Sequence, residues 1–123
     1  KPGIRICNYG RSAYGLWIER NIKFATLVNA TSIDDSWDKF MSEKCDALTG
    51  LKPRLLTDVL KLPGARILDG QFSAVQQAIG TQKKNRAGAA YLHAFVEEAK
   101  ASGFVASLIA KHKVVGLSVA PKA

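Results

Sequence analysis

The chain predicts an α/β domain built on a mostly parallel sheet of five strands. Two observations carry this: short β-branched runs alternate with segments of helical period, and Gly, Pro or Asn-rich turns punctuate nearly every junction. At 123 residues it has the length of one globular unit.

Gly3 to Asn8 alternates apolar and polar side chains and stops at Tyr9-Gly10, a strand followed by a turn. Ser12 is suited to cap a helix running to Asn21, with Ala13, Leu16 and Trp17 as its apolar face and Tyr14 and Ile18 broadening it. Phe24 to Asn29 reads as the second strand. Ser32 with Asp35 approximates a capping box, and Ile33, Trp37, Phe40 and Met41 fall on one helical face behind it. Asp46 to Thr49 is a brief third strand closed by Gly50. Pro53 then suits the first turn of a helix carrying Leu55, Leu56, Val59 and Leu60, which Pro63-Gly64 ends. Ala65 to Leu68 and Phe72 to Ile79 are expected as the fourth and fifth strands. After the basic loop Lys83 to Arg86, a long helix runs from Arg86 to Ser102 with the stripe Leu92, Phe95, Val96 and Ala99. Gly103 stops it, and a second helix spans Phe104 to His112 before a Gly- and Pro-punctuated tail.

The composition, 47% apolar and 23% charged, is that of a folded globular protein, and no apolar run reaches the roughly 20 residues of a membrane span. Lys1-Pro2-Gly3 leads straight into a strand pattern without a signal segment, so a cytoplasmic chain or a mature or truncated product is expected. The net charge of +8 lies mainly in residues 51–123, with eleven basic and four acidic groups against seven and six before them. The basic residues are not interleaved with aromatics as a single-strand nucleic-acid binder requires, and no nucleic acid is expected. Cys7 and Cys45 have no metal-like spacing, so no metal or cofactor is expected; they read as two buried thiols or, in an oxidising compartment, a bridge.

The loop after the first strand, "NYGRSAYGLW", approaches three catalytic templates and misses each. Gly10 and Gly15 have phosphate-loop spacing, but Leu16 and Trp17 stand where lysine and a hydroxyl residue do the chemistry. Ser12 replaces the middle glycine of a dinucleotide fingerprint. Gly10-Arg11-Ser12-Ala13 begins a nucleophile elbow, and Tyr14 breaks it. The two histidines, His93 and His112, both fall in the C-terminal helices, so the chain is not expected to be an enzyme. What remains is a helix N-terminus beyond a strand end, which favours a carboxylate, with Arg11 able to add a charge-assisted contact; the alternative is that Ser12 only caps its helix and Arg11 is solvated.

The order of the pieces "GIRICNYGRSAYGLWIERN", "ATLVNATSIDDSWDKFMSEKCDALTG", "ARILDGQFSAVQQAIGT", "AAYLHAFVEEAKASGFVASLIAKH" and "VVGLSVAP" resembles the periplasmic solute-binding proteins of bacterial ABC importers, in the amino-acid branch (family 3). The resemblance implies one lobe of a type II periplasmic binding protein fold, a three-layer sandwich. Residues 1–81 would form the ligand-binding lobe with its hinge-crossing strands. Residues 82–123 would be C-terminal helices that pack on a first lobe this chain lacks. It also implies a periplasmic protein that delivers an amino acid or related carboxylate-bearing solute to a membrane permease. By position, Gly10, Arg11, Ser12 and Ala13 match the loop that holds the ligand carboxylate. Thr49, Gly50 and Leu51 match a segment that usually ends in an ammonium-binding aspartate. Leu51 stands about where that aspartate would be, and Lys52 beside it with Arg11 points to an anionic solute. Gln77, or its neighbour Gln76, would reach the ligand from the exit strand.

Two other classes remain open, a small hydrolase-like α/β enzyme using Ser12 and a basic nucleic-acid-binding domain. Without a first lobe, Leu92, Phe95, Val96 and Phe104 would stay uncovered, and a dimer is expected.

Overall fold

In the computed structural model, which describes residues 2–123, the chain divides after Val75 into two units. The sequence places that boundary after residue 81.

The first unit is α/β. Its strands β1 (Arg5–Tyr9), β2 (Thr26–Ala30) and β3 (Ala47–Leu48) form a parallel sheet in the order β2-β1-β3. The register sets Arg5 opposite Thr26 through Tyr9 opposite Ala30 on one side, and Ile6 and Cys7 opposite Ala47 and Leu48 on the other. Among the described residues the sheet has three strands, not five. Ala65 to Leu68 and Phe72 to Ile79 have the expected composition but no neighbouring strand to take up their N–H and C=O groups, and a strand exists only through such pairing.

Helix α1 (Ala13–Asn21) follows β1, and helix α2 (Ile33–Ser42) follows β2 and packs on all three strands. Side chains alternate along β1, so Cys7 and Asn8, both fully buried, point to opposite sides. Cys7 forms a disulfide with Cys45, just beyond α2, with Cα atoms 5.9 Å apart. Asn8 instead faces the side on which Glu19 of α1 bonds to Asn29 of β2. The two thiols left open by the sequence are therefore a bridge, one that ties the central strand to the turn entering β3.

Two details refine the helix expectations. In α1 the buried face is Tyr14, Gly15 and Ile18, whereas Ala13 and Leu16 are exposed. In α2 the Ser32 hydroxyl accepts from the Asp35 N–H at 3.0 Å, and the Asp35 carboxylate reaches back one residue further, to the N–H and hydroxyl of Thr31 at 2.7 and 2.9 Å. Those hydrogen bonds, the backbone one first, hold the Asp35 carboxyl below its ordinary range. Helix α3 (Lys52–Asp58) follows β3 and tightens into a 3-10 turn, Val59–Lys61. Arg54 bridges Asp58 at 2.7 Å and Asp34 of α2 at 2.8 Å, and Lys61 meets Asp58 at 2.9 Å. The Lys61 ammonium also lies 5.7 Å over the Trp37 ring. Phe72 packs on Trp17 of α1, with ring centroids 5.1 Å apart.

The second unit holds α4 (Arg86–Ala101) and α5 (Phe104–Lys111). Asn85 caps α4 by accepting from the Gly88 N–H at 2.9 Å, and Lys100 holds the tail by donating to the Pro121 carbonyl at 2.8 Å. Among its described residues none is buried: Tyr91 is 70%, Phe104 54% and Phe95 47% exposed. Of the apolar stripe read from the sequence, Phe95 is exposed and Leu92, Val96 and Ala99 are half-buried.

Candidate functional site

Strand order reverses at β1: the chain leaves it to one side for β2 and returns past it to β3. In open parallel sheets the loops at the carboxyl ends beside such a reversal border the ligand crevice. Here those loops are residues 9–13, after β1, and 49–52, after β3.

The first loop is held by its own backbone. The Tyr9 carbonyl accepts from the Ser12 N–H at 3.0 Å and from the Ser12 hydroxyl at 2.6 Å, while the same hydroxyl accepts from the Gly15 N–H at 2.9 Å. Gly15 permits this approach, since a Cβ there would overlap the Tyr9 carbonyl and stand 2.9 Å from the Ser12 hydroxyl. Ser12 is thus the helix cap, and its proton is committed to Tyr9. The N–H groups of Ala13 and Tyr14 lie in the first turn, where no intrahelical carbonyl reaches them, and the helix dipole adds positive potential at that point. Arg11 is exposed and makes no salt bridge among the described residues. An anion is the chemistry this end of α1 suits.

The second loop divides between inside and outside. Thr49 is buried: its N–H donates to the Cys7 carbonyl at 3.1 Å and its hydroxyl to the Asn8 Oδ1 at 2.9 Å. Its side chain supports the loop from within and does not face a ligand. Gly50 is half-buried against Leu55, and the Leu51 carbonyl accepts from the Arg54 and Leu55 N–H groups, both at 3.0 Å, to start α3. Leu51 and Lys52 are exposed. Gln76 and Gln77 are exposed as well and belong to the second unit, with His93 and His112.

Composition and spacing give little notice of a polar chain beneath the first loop. Asn8, in the central strand, donates to the Asn29 Oδ1 at 3.2 Å, and Asn29 donates to Glu19 at 3.4 Å. With Thr49 this links all three strand ends to α1. The available signal was an asparagine at an otherwise apolar strand position in both β1 and β2.

Below the second loop, burial alone would raise the Asp58 carboxyl, but hydrogen bonds from Lys61 and Arg54 and their charges outweigh it and hold it below the ordinary range. Among the described residues no group of three His, Cys, Asp or Glu could hold a metal ion. Cavities of about 480 and 220 Å³ lie in the second unit, along α4. Among the described residues no helix is long and apolar enough to cross a membrane. Comparison with protein-family models, curated proteins and solved structures returns no match for the chain.

Proposed function

We propose that the chain is one lobe, with the C-terminal helices, of the solute receptor of a bacterial ABC importer, and that it binds an amino acid or related small carboxylate-bearing solute in the periplasm for a membrane permease. The observation that carries this reading is the start of α1: two first-turn N–H groups, of Ala13 and Tyr14, without intrahelical partners, beside an exposed Arg11 at the strand-order reversal. Gly10 and Ser12 shape that loop and the backbone of Ala13 contacts the carboxylate. Lys52, exposed at the start of α3, favours a second negative charge, and Leu51 and Gly50 line the wall between. Thr49 acts through the backbone it supports. The role is binding rather than catalysis, and the commitment of the Ser12 proton to the Tyr9 carbonyl supports that choice.

The finer fold goes with the function. In a two-lobed receptor of the type II periplasmic binding protein fold, Ala65 to Leu68 and Phe72 to Ile79 acquire strand partners and complete a five-stranded sheet, and α4 and α5 are covered by the first lobe. Isothermal titration of the full-length parent with a panel of amino and carboxylic acids tests the reading. One member binds at a single site, Arg11→Ala weakens it by about tenfold through the lost charge-assisted contact, and this chain alone binds it weakly because a one-walled cleft buries less of it. A parent that binds none of the panel but hydrolyses an ester or a nucleotide overturns it.

A further inference from the structure

We propose that Asn8 is a positioning residue that mechanically couples the two loops at the strand ends, so that the loop of residues 9–13 and the loop of residues 49–52 keep one fixed separation. Asn8 is 0% exposed in the central strand of a parallel sheet, a position ordinarily filled by an aliphatic side chain. Its amide is used at both ends. The Thr49 hydroxyl donates to its oxygen at 2.9 Å, its nitrogen donates to the Asn29 oxygen at 3.2 Å, and the Asn29 nitrogen donates to the Glu19 carboxylate at 3.4 Å.

Every link runs the same way, from hydroxyl to amide to amide to carboxylate, so reversing Asn8 would set its oxygen against the Asn29 oxygen, and reversing Asn29 would set two donors together at Asn8 and two acceptors together at Glu19. Such a chain polarises in one direction, and at its buried end, Asn8 with Thr49, a broken member is penalised, while the outer link between the exposed Asn29 and Glu19 is screened by water. No buried side-chain polar atom among the described residues lacks a partner. A chain of this kind specifies position more than it adds stability, since apolar side chains of similar volume fill the same space.

Its placement makes the position functional. Thr49 opens the second loop, and Asn8 precedes Tyr9, whose carbonyl is the anchor of the first. The far end of the chain underlies that loop too: a Cβ on Gly10 would stand 2.9 Å from Glu19 and 3.3 Å from Asn29. Asn8 therefore contacts, directly or through one residue, what holds each loop. That the coupling serves solute binding rests on the function proposed above; the coupling itself does not.

The experiment uses the whole chain, labelled with nitrogen-15, and follows backbone amide shifts. Ser12→Ala perturbs the first loop, and the response is read at Gly50, Leu51 and Lys52. In the otherwise native chain these amides move. In a Thr49→Val or Asn8→Leu background they stay where that background puts them. Thr49→Val is isosteric and removes only the hydroxyl's contacts, to the Asn8 oxygen at 2.9 Å and the Cys7 carbonyl at 3.4 Å, so it carries the test if Asn8→Leu fails to fold. Equal transmission with and without Thr49→Val, or no transmission in the native chain, overturns the proposal, whatever either change does to thermal stability. Acetate titration on the same samples, read at Ala13 and Tyr14, separates the two claims. Affinity falls roughly fivefold or more in Thr49→Val if the coupling serves binding. Absence of any acetate response in the native chain counts against the binding function and leaves the transmission result standing.

Discussion

Asp58 illustrates how one side chain can hold two elements. It is buried, yet two cations, Arg54 and Lys61, keep its carboxyl ionised, and Arg54 extends the link to Asp34 at the start of α2. Because its native pKa is lowered, its contribution is complete above the unfolded value of about 4 and is lost as pH falls through the lower native value. We expect Asp58→Asn to cost about 1 kcal/mol at neutral pH, a figure discounted for the exposure of Arg54 and Lys61. Urea unfolding from pH 7 to pH 2 should show the mutant and native curves converging below about pH 4; a constant gap would place the effect in packing instead. Sequence reading found the Ser12 and Ser32 caps because capping depends on three or four adjacent residues. It missed Asn8 and Asp58 because their partners stand 21 and 41 residues away in one case, and in the other a charged residue is enclosed by folds of the chain that composition does not reveal.

Among the elements, β3 is the most dependent on its surroundings. It has two residues, and two backbone bonds flank them: the Asp46 N–H to the Arg5 carbonyl at 2.9 Å and the Thr49 N–H to the Cys7 carbonyl at 3.1 Å. The disulfide enters two residues before it, at Cys45. Closing a loop of 38 residues restricts the unfolded chain by about 4 kcal/mol in the chain-entropy model. Dithiothreitol, or a Cys7→Ala/Cys45→Ala pair, should lower the urea midpoint of the chain correspondingly, and an unchanged midpoint would mean that the reduced chain is equally restricted. The helices were legible because their period is written in consecutive residues: α4 and α5 end within one residue of expectation. The fourth and fifth strands were not, because alternation records what a segment is able to pair with and never whether a partner is present. Residues 65–68 and 72–79 have the pattern without the partner.

At the scale of the molecule, the two units differ in what they enclose. The first has a core around Cys7, Tyr14 and Ile18, and the second leaves Tyr91, Phe95 and Phe104 open to water. Exposed faces of that size favour association, and we expect the chain to form a dimer through α4 and α5. Light scattering across a concentration series checks this, and a monomer at high concentration counts against it. The basic excess is also uneven, and because both copies carry +8, the association should strengthen with added salt. The aromatic pairing on α1 has one more consequence. The chain has two tryptophans, Trp17 against Phe72 and Trp37 beneath Lys61, and both lie in the first unit. Light emitted by indole therefore comes from the sheet half alone, while circular dichroism is dominated by helix and draws heavily on α4 and α5. The protein carries its own two-colour label, by which the melting of one half can be followed apart from the other without attaching a dye.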